Sequence, residues 1–409
     1  MKILHIGYSD TSGGASIAMM RLHVSMLENG INSHVLVAEK KSNIKNVHGS
    51  NSSLEAWVSE LKKKIVRQKK YIFSTNNINT HSLNLFRSNI LFKIKKINPD
   101  IVNLHWVNNE LISIKQISKI KEPLLWTIND MWPLCGCEHY SSSDRFINGY
   151  NDNNRDSGEK GFDINKWTWN KKNKYWKDKF NAIICISEWL KQRTEQSMLF
   201  KNKKIIKINC PIDTNIWNPI EKQKAREDIG LPKDKKILLF VSNNGTRDER
   251  KGFKFVDNAL KKLLLDNEKI LLLIIGKADI FTDKNYEYKV VDKIFNGNPN
   301  ELKKYYSSSD ILLAPSKLEA FGQVALEATS CGVPTIAFKN TGIEDIIVHK
   351  KNGYLANYCD QEDFDIGLKW LLKYTTNNQE ILKNNCVETS YKFRNEVIVK
   401  KYLEIYKTL

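Results

Sequence analysis

Residues 315–334 read Pro-Ser-Lys-Leu-Glu-Ala-Phe-Gly-Gln-Val-Ala-Leu-Glu-Ala-Thr-Ser-Cys-Gly-Val-Pro, and the rest of the chain is organised around them. The apolar run Ile311 to Ala314 leads in as a buried strand. After a loop containing Glu319, a helix is expected to start near Phe321–Gly322 and to stop before Gly332 and Pro334. The amides of Gly322, Gln323 and Val324 then open a helix without intrahelical acceptors, which suits an anion. Gly322 has no side chain, so a ligand can come close to the backbone there. Glu319 sits in the loop and Glu327 inside the helix, with seven residues between them. From those places they could bond different hydroxyls of one extended polar ligand whose phosphates rest on the helix start. A plainer account also fits: Glu319 complements the helix dipole and Glu327 faces solvent.

The two glutamates, the Phe-Gly after the first, and the Glu-Ala…Cys-Gly-x-Pro continuation resemble the nucleotide-sugar signature of retaining GT-B glycosyltransferases of the large family four, the glycosyl transferases group 1. The resemblance implies an α/β chain with two doubly wound Rossmann-like domains facing a central cleft. It implies a nucleotide-diphosphate sugar, UDP or GDP, as donor, and it gives Glu319 the donor sugar and Glu327 the ribose hydroxyls. Phe321, Gly322, Gln323 and Val324 belong to the same donor site.

At 409 residues the chain is long for one core, and two domains of about 200 residues are expected. No apolar run approaches a membrane span, and Met1-Lys2 enters a strand directly, so no signal peptide is expected. Seven cysteines without regular spacing fit reduced thiols in a cytoplasmic protein. Cys135 and Cys137 are one residue apart, too close for ordinary paired zinc ligands, and no metal site is expected. A net charge of +18 implies an anionic partner. No nucleic-acid motif accompanies it, so an anionic membrane surface and a phosphate-bearing substrate come first and nucleic acid is not expected. Part of the lysine and asparagine excess also fits a compositional bias of the genome.

Along the chain, Lys2 to Tyr8 is a short strand, and residues 12–16 follow as Ser-Gly-Gly-Ala-Ser. A helix closing at Asn29-Gly30 and the strand His34 to Ala38 complete a β-α-β unit. Gly13 and Gly14 sit where backbone meets a phosphate or sugar, or where the chain merely turns tightly. The family places donor phosphates and acceptor at this loop, which implicates Gly13 and Gly14 with the donor and Ser16 with the acceptor. From Leu54 to Phe73, Leu54, Trp57, Val58, Leu61 and Ile65 share a helical face. Six basic residues, Lys62, Lys63, Lys64, Arg67, Lys69 and Lys70, stand against Glu55 and Glu60, a balance of +4. Such a helix lies in a membrane interface, or packs its apolar face on the core.

The buried strand Asp100 to His105 ends at His105 and Trp106, and Pro123 to Ile128 ends at Asn129 and Asp130. Polar groups at the carboxyl ends of parallel strands line a ligand crevice. Residues 126–133 (Trp-Thr-Ile-Asn-Asp-Met-Trp-Pro) with 137–140 (Cys-Glu-His-Tyr) resemble a bacterial polysaccharide branch of the family. That branch carries histidine where Asn129 stands. Asn129 and Asp130 are candidate catalytic residues, and His105 and Trp106 candidate acceptor contacts. Ser141 to Lys174 is polar and is expected to be a long loop over the acceptor, in which Trp167 and Trp169 stack on a sugar or pack on the domain. Ala182 to Ile186 and Lys204 to Ile208 are the last strands of this half.

Residues 209–219 resemble the family's interdomain connection, which places the domains at 1–212 and 213–390, with 391–409 a terminal helix crossing back to the first. The second half opens with the strand Lys236 to Val241 and a basic loop. The family has an arginine just after this strand and a lysine before a glycine. Lys251-Gly252 supplies the lysine; the arginine position reads Asn243–Asn244, leaving Arg247 or Arg250 to hold the diphosphate. A charged surface loop is the plainer account of the same residues. The strand Ile270 to Gly276 brings Gly276 to the site. Phe295 to Pro299 occupies the usual base-binding loop, with Asn296 in it.

The resemblance therefore implies transfer of a hexose, with retention, from a nucleotide-diphosphate sugar to a hydroxyl of a bacterial surface glycan precursor (O-antigen, capsule or exopolysaccharide). Lys251 with Arg250 or Arg247 would hold the diphosphate, and Glu319 the sugar, with no metal and no cofactor beyond the donor. Expected partners are the nucleotide sugar, a glycan or lipid-linked oligosaccharide acceptor, and an anionic membrane at the cytoplasmic face of the plasma membrane. A binding subunit that holds the nucleotide sugar without transferring it is the alternative from another class.

Overall fold

The computed structural model describes residues 1–49, 53–243, 245–263, 269–278, 286–292 and 298–409. In chain order the first half contributes β1 (Lys2–Ser9), β2 (Asn32–Glu39), β3 (Val47–His48), β4 (Phe73–Ser74), β5 (Ile101–Leu104), β6 (Leu124–Ile128), β7 (Lys160–Gly161), β8 (Ala182–Cys185) and β9 (Ile205–Lys207). β4 and β7 pair as a small antiparallel ribbon. The other seven form one parallel sheet in the order β3-β2-β1-β5-β6-β8-β9. The second half adds β10 (Lys236–Val241), β11 (Ile270–Ile275), β12 (Glu287–Val291), β13 (Ile311–Ala314), β14 (Thr335–Phe338) and β15 (Gly353–Ala356). These form a six-stranded parallel sheet ordered β12-β11-β10-β13-β14-β15. The central strands are apolar almost throughout, and every residue of β11 is buried, as parallel strands covered on both faces require.

In each sheet the strand order reverses once, at β1 and β5 in the first and at β10 and β13 in the second. Chains leaving the carboxyl ends of two such strands diverge to opposite faces and open a crevice. The loops after β1, β5, β10 and β13 carry Gly13, Trp106, Lys251 and Glu319. This topology is what places the candidate residues.

The chain divides into two compact units, Met1–Pro211 with Asn395–Leu409, and Ile212–Arg394. The helix Asn395–Tyr406 packs Ile398, Val399, Tyr402 and Tyr406 into a cluster with Ile3, Leu22, Leu125 and Ile184. Its two tyrosines reach polar groups inside: the Tyr406 hydroxyl accepts from Asn103 Nδ2 at 2.9 Å, and the Tyr402 hydroxyl lies 3.2 Å from Thr127 Oγ1.

The expected long loop from Ser141 to Lys174 is not one. It contains a helical turn, Arg145–Asn148, and a three-and-a-half-turn helix, Ile164–Trp176, capped by Asp163 accepting from the Lys166 amide. Trp169 is buried on Tyr150 with ring centres 5.8 Å apart, which rules out its stacking on a sugar. Trp167 packs beside Phe162.

Candidate functional site

In the second unit, the loop after β10 makes two short turns, Gly245–Arg247 and Glu249–Lys251. Two glycines press it against its neighbours. A Cβ on Gly245 (φ +57°) would lie 1.1 Å from the Lys277 carbonyl oxygen, and one on Gly252 (φ +70°) 2.0 Å from that of Pro315. Only glycine lets the loops after β10, β11 and β13 approach so closely. The Lys317 amide donates to the Arg250 carbonyl at 2.7 Å and fastens the same approach. The result is that Lys251 Nζ stands 2.5 Å from Glu319 Oε2, both side chains partly exposed.

Arg250 is held by a neighbour. Its guanidinium donates to the Asp248 carboxylate through Nη2 at 2.8 Å and Nε at 3.2 Å, and Asp248 also accepts the Arg250 amide at 3.1 Å. Arg247 is exposed at the end of the first turn, and Gly276 (φ +121°) ends β11. Asn296 and Phe295 lie outside the described residues, as does Asn244.

The helix begins as expected, at Gln323–Ser330, with Gly322 in the left-handed region (φ 101°) as its cap. The first helical bond runs from the Leu326 amide to the Gly322 carbonyl at 3.0 Å, so the amides ahead of it have no acceptor inside the helix. The Gly342 amide donates to the Glu319 carbonyl at 2.8 Å and pins the loop from above. The Phe321 side chain is buried edge-on to Phe393, ring centres 6.0 Å apart, and supports the loop, which leaves its backbone as the part that can meet a donor. Glu327 lies on the buried face of the helix and accepts from the Tyr306 hydroxyl at 2.8 Å; it does not face solvent.

In the first unit, Gly13 (φ +88°) caps α1 (Gly14–Glu28) with open space where a Cβ would project, and Ser16 is buried in the first turn. His105 is a correction. It is buried, with Nε2 3.0 Å from Nδ1 of the equally buried His5, and burial pushes its pKa down to about 3. Buried in this way, the His105 side chain presents no surface to an acceptor.

Trp106 and Asp130 do come together, and they bring a residue that sequence reasoning left out of the site. Asp130 Oδ2 accepts Trp106 Nε1 at 2.8 Å and His139 Nδ1 at 2.6 Å, while Oδ1 accepts the Trp132 amide at 3.0 Å. The far side of His139 meets the Asn108 side-chain amide at 2.8 Å and the Ser82 hydroxyl at 2.9 Å. With the amide donating, Nε2 is an acceptor and Nδ1–H donates to Asp130. Asp130 is thus a buried anchor with both oxygens engaged, holding Trp106, His139 and the Trp132 amide together. Asn129 donates Nδ2 to the Thr127 carbonyl at 2.9 Å, and its buried Oδ1 has no partner among the described residues.

Lys172, from the helix Ile164–Trp176, was also missed. Its fully buried Nζ donates to the carbonyls of Trp132, Cys135 (3.0 Å) and Gly136 (2.7 Å) and lies 3.7 Å from the centre of the Trp132 ring. Burial draws its pKa down to about 7. It clamps the turn that follows Asn129 and Asp130. No sequence signal marks a lysine as the core residue of a helix. His139, by contrast, stood in the motif already quoted. Among the described residues no cluster of three or more His, Cys, Asp or Glu is placed to hold a metal ion.

Residues 12–216, half of the chain, match the model of Glycosyltransferase Family 4, and residues 221–393 match Glycosyl transferases group 1. The chain is 31% identical over 193 residues to an uncharacterized glycosyltransferase of Methanocaldococcus jannaschii, covering 46% of this chain and 48% of that protein. It is 27% identical over 422 residues to an uncharacterized 41.2 kDa protein in the cps region of Klebsiella pneumoniae, covering 100% of each. The match thus spans about half of the first relative and all of the second. Among solved structures it is similar to sucrose-phosphate synthase from Thermosynechococcus elongatus (TM-score 0.68, 16% identity, 100% of this chain and 99% of that one). It is also similar to HepE of Anabaena in complex with UDP and glucose (TM-score 0.62, 15% identity, 100% of each). At such identities the likeness is one of fold, and that fold is GT-B. Two parallel sheets, each with its candidate residues at the switch point, and two family matches that between them span most of the chain lead to one assignment: the chain belongs to Glycosyltransferase Family 4 and is a GT-B glycosyltransferase of group 1.

Proposed function

We propose that the protein is a retaining, metal-independent hexosyltransferase that builds a bacterial surface glycan from a nucleotide-diphosphate sugar. The observation that carries this reading is Lys251 Nζ set 2.5 Å from Glu319 Oε2 beside the start of the helix Gln323–Ser330. A cation, a carboxylate and a row of helix-start amides are what a sugar diphosphate needs. Lys251 and the amides take the diphosphate, and Glu319 takes the sugar hydroxyls once Lys251 turns to phosphate. The bond from the anomeric carbon to the diphosphate oxygen breaks while one to the acceptor oxygen forms on the same face. The acceptor proton passes to the departing phosphate oxygen, and the nucleoside diphosphate leaves.

The bound UDP and glucose of HepE support the donor class, and the cps-region relative supports a surface glycan as product. The net charge of +18 favours a station at an anionic membrane, on its cytoplasmic face, as a peripheral protein. Among the described residues no helix is long and apolar enough to cross one.

The test is a panel of UDP- and GDP-sugars screened for thermal stabilisation, followed by transfer from the best donor and NMR of the product's anomeric proton. Stabilisation by one donor, retained configuration and turnover in excess chelator are expected. An inverted product, or turnover lost in chelator and restored by manganese, overturns the mechanism. A second reading, a subunit that binds the donor without transferring it, is favoured by Asn129 standing where the branch has histidine. Stabilisation by a donor with neither transfer nor slow hydrolysis would select it.

A further inference from the structure

Glu319 acts from a loop, and a loop aims a carboxylate only as firmly as its own peptide groups are held. Residues 315–322 form neither helix nor strand. Backbone partners fix this stretch on both sides of Leu318: the Lys317 amide donates to the Arg250 carbonyl at 2.7 Å, and the Glu319 carbonyl accepts the Gly342 amide at 2.8 Å. The peptide that joins Lys317 to Leu318 lies between them and is fixed by a side chain. Its carbonyl accepts the hydroxyl of Tyr358, from the loop after β15, at 3.1 Å.

Tyr358 is held in place by both of its neighbours. The Asn357 amide donates to Asp363 Oδ2 at 2.7 Å, its side-chain oxygen accepts Lys339 Nζ at 2.9 Å, and its carbonyl accepts the Asp360 amide at 3.1 Å. On the other side Cys359 stands at φ +56°, a left-handed conformation that a residue with a Cβ adopts only under strain. That turn delivers Asp360, which caps the helix Gln361–Asn377 by accepting the Glu362 and Asp363 amides. The Tyr358 ring rests edge-on against Phe338 at the end of β14, ring centres 6.4 Å apart. Even so, the residue is 46% exposed. A phenol at such a site bonds water as readily as protein, so the fold gains little from the contact. What the bond does set is a peptide plane one residue short of Glu319.

The diphosphate side of the site is built without Tyr358. The turn that carries Lys251 is closed by the Lys251 amide on the Asp248 carbonyl at 2.9 Å, and the helix start at Gly322 is fixed by its own first bond. We propose that Tyr358 is a positioning residue for the donor sugar, its hydroxyl setting the loop so that the Glu319 carboxylate meets the sugar hydroxyls. The proposal rests on the glycosyl-transfer reading above, in which Glu319 takes the sugar, and adds the side chain that aims it. Hydrogen bonds to hydroxyls weaken steeply with distance and angle, so a loosened loop is felt by the sugar and not by the diphosphate.

The nucleotide sugar that stabilises the parent, and its nucleoside diphosphate, are titrated by calorimetry into the parent, Tyr358→Phe, Glu319→Ala and the double variant. Tyr358→Phe keeps the ring on Phe338 and removes only the hydroxyl, so its melting temperature should stay within about 2 °C of the parent's. It should weaken the nucleotide sugar about fivefold and the nucleoside diphosphate by less than about twofold. Beside Glu319→Ala the same change should cost no further affinity, because a residue that acts through Glu319 has nothing to aim once the carboxylate is gone. Equal weakening of both ligands would make Tyr358 a support of the whole site, and unaltered binding of both would make its hydroxyl idle. Either result overturns the proposal, as does a loss that persists beside Glu319→Ala. Where the parent binds a nucleotide sugar, these failures leave the glycosyl-transfer reading standing; if it binds none, that reading falls and the proposal with it.

Discussion

Lys251 and Glu319 are 68 residues apart in the chain and meet through loops held by glycine backbones, so neither side chain carries the fold. Replacing either by alanine should therefore leave the melting temperature nearly unchanged. It should lower turnover about 10²-fold or more, the usual loss when a group that stabilises transition-state charge is removed. Steady-state kinetics on the two variants check this, and near-native turnover in both would remove the cluster from the reaction. Asn129 gives a different test, because its amide does not titrate near neutral pH and a histidine in its place would. Asn129→His should add a histidine-like limb to the pH profile of turnover and keep activity within about an order of magnitude, up to 1.4 kcal/mol in the barrier. Asn129→Ala should raise the acceptor KM more than it lowers kcat, since positioning is lost and no proton transfer is. Abolished turnover with acceptor binding intact would instead place the amide in the transition state.

The helix Ile164–Trp176 shows what one element can hide and what it can hold. Its buried positions include Ile164, Thr168, Trp169, Lys172 and Trp176, a helical period in which a lysine and a threonine stand where apolar residues are expected. Surrounded by Asn, Asp and Lys, that period reads as loop, whereas α1, β11 and the helix Gln323–Ser330 carry apolar patterns or caps plain enough to place them from the sequence. The same contrast runs through the candidate site. The Lys251 and Glu319 neighbourhood was legible because its glycines and its helix start lie in short stretches of chain. The bond of His139 to Asp130 and the Lys172 clamp were not, since each is made by folding segments that are polar and far apart. Buried carbonyls that lose their donor cost about 1–3 kcal/mol each. Lys172→Met keeps the length of the side chain and removes its donors, so it should destabilise the first unit by several times that of an exposed lysine variant, as measured by urea unfolding. Exposed Lys174→Met on the same helix is the reference, and equal midpoints for the two would mean that water serves those carbonyls.

The protein as a whole is two units, each with its own sheet and core, and a single unfolding free energy is not expected to describe both. Eight of its ten tryptophans, at 57, 106, 126, 132, 167, 169, 176 and 189, lie in the first unit, so fluorescence follows that unit's unfolding selectively. This permits a test of the histidines packed inside it. Burial lowers the pKa of His5 well below its ordinary value, with His105 and His23 nearby lowering it further, and burial alone lowers that of His105 to about 3. Both are therefore neutral in the folded unit and titrate near 6.5 when it unfolds. Below that pH the unfolded chain binds protons that the folded one does not, so stability is full above about 6.5 and falls as pH drops towards 3. The slope is up to about 1.4 kcal/mol per pH unit for each histidine. Carboxylates paired in the folded state add their own losses at lower pH, but they are common to a variant and its parent. His105→Phe keeps an aromatic ring in the site and removes one titrating group. Urea unfolding followed by fluorescence between pH 6.5 and 5 should then show a visibly shallower dependence in His105→Phe than in the parent, whatever its stability at neutral pH. Equal slopes would mean that His105 is charged in the folded unit, with water or a structural change supplying what its unpartnered Nδ1 lacks in this structure.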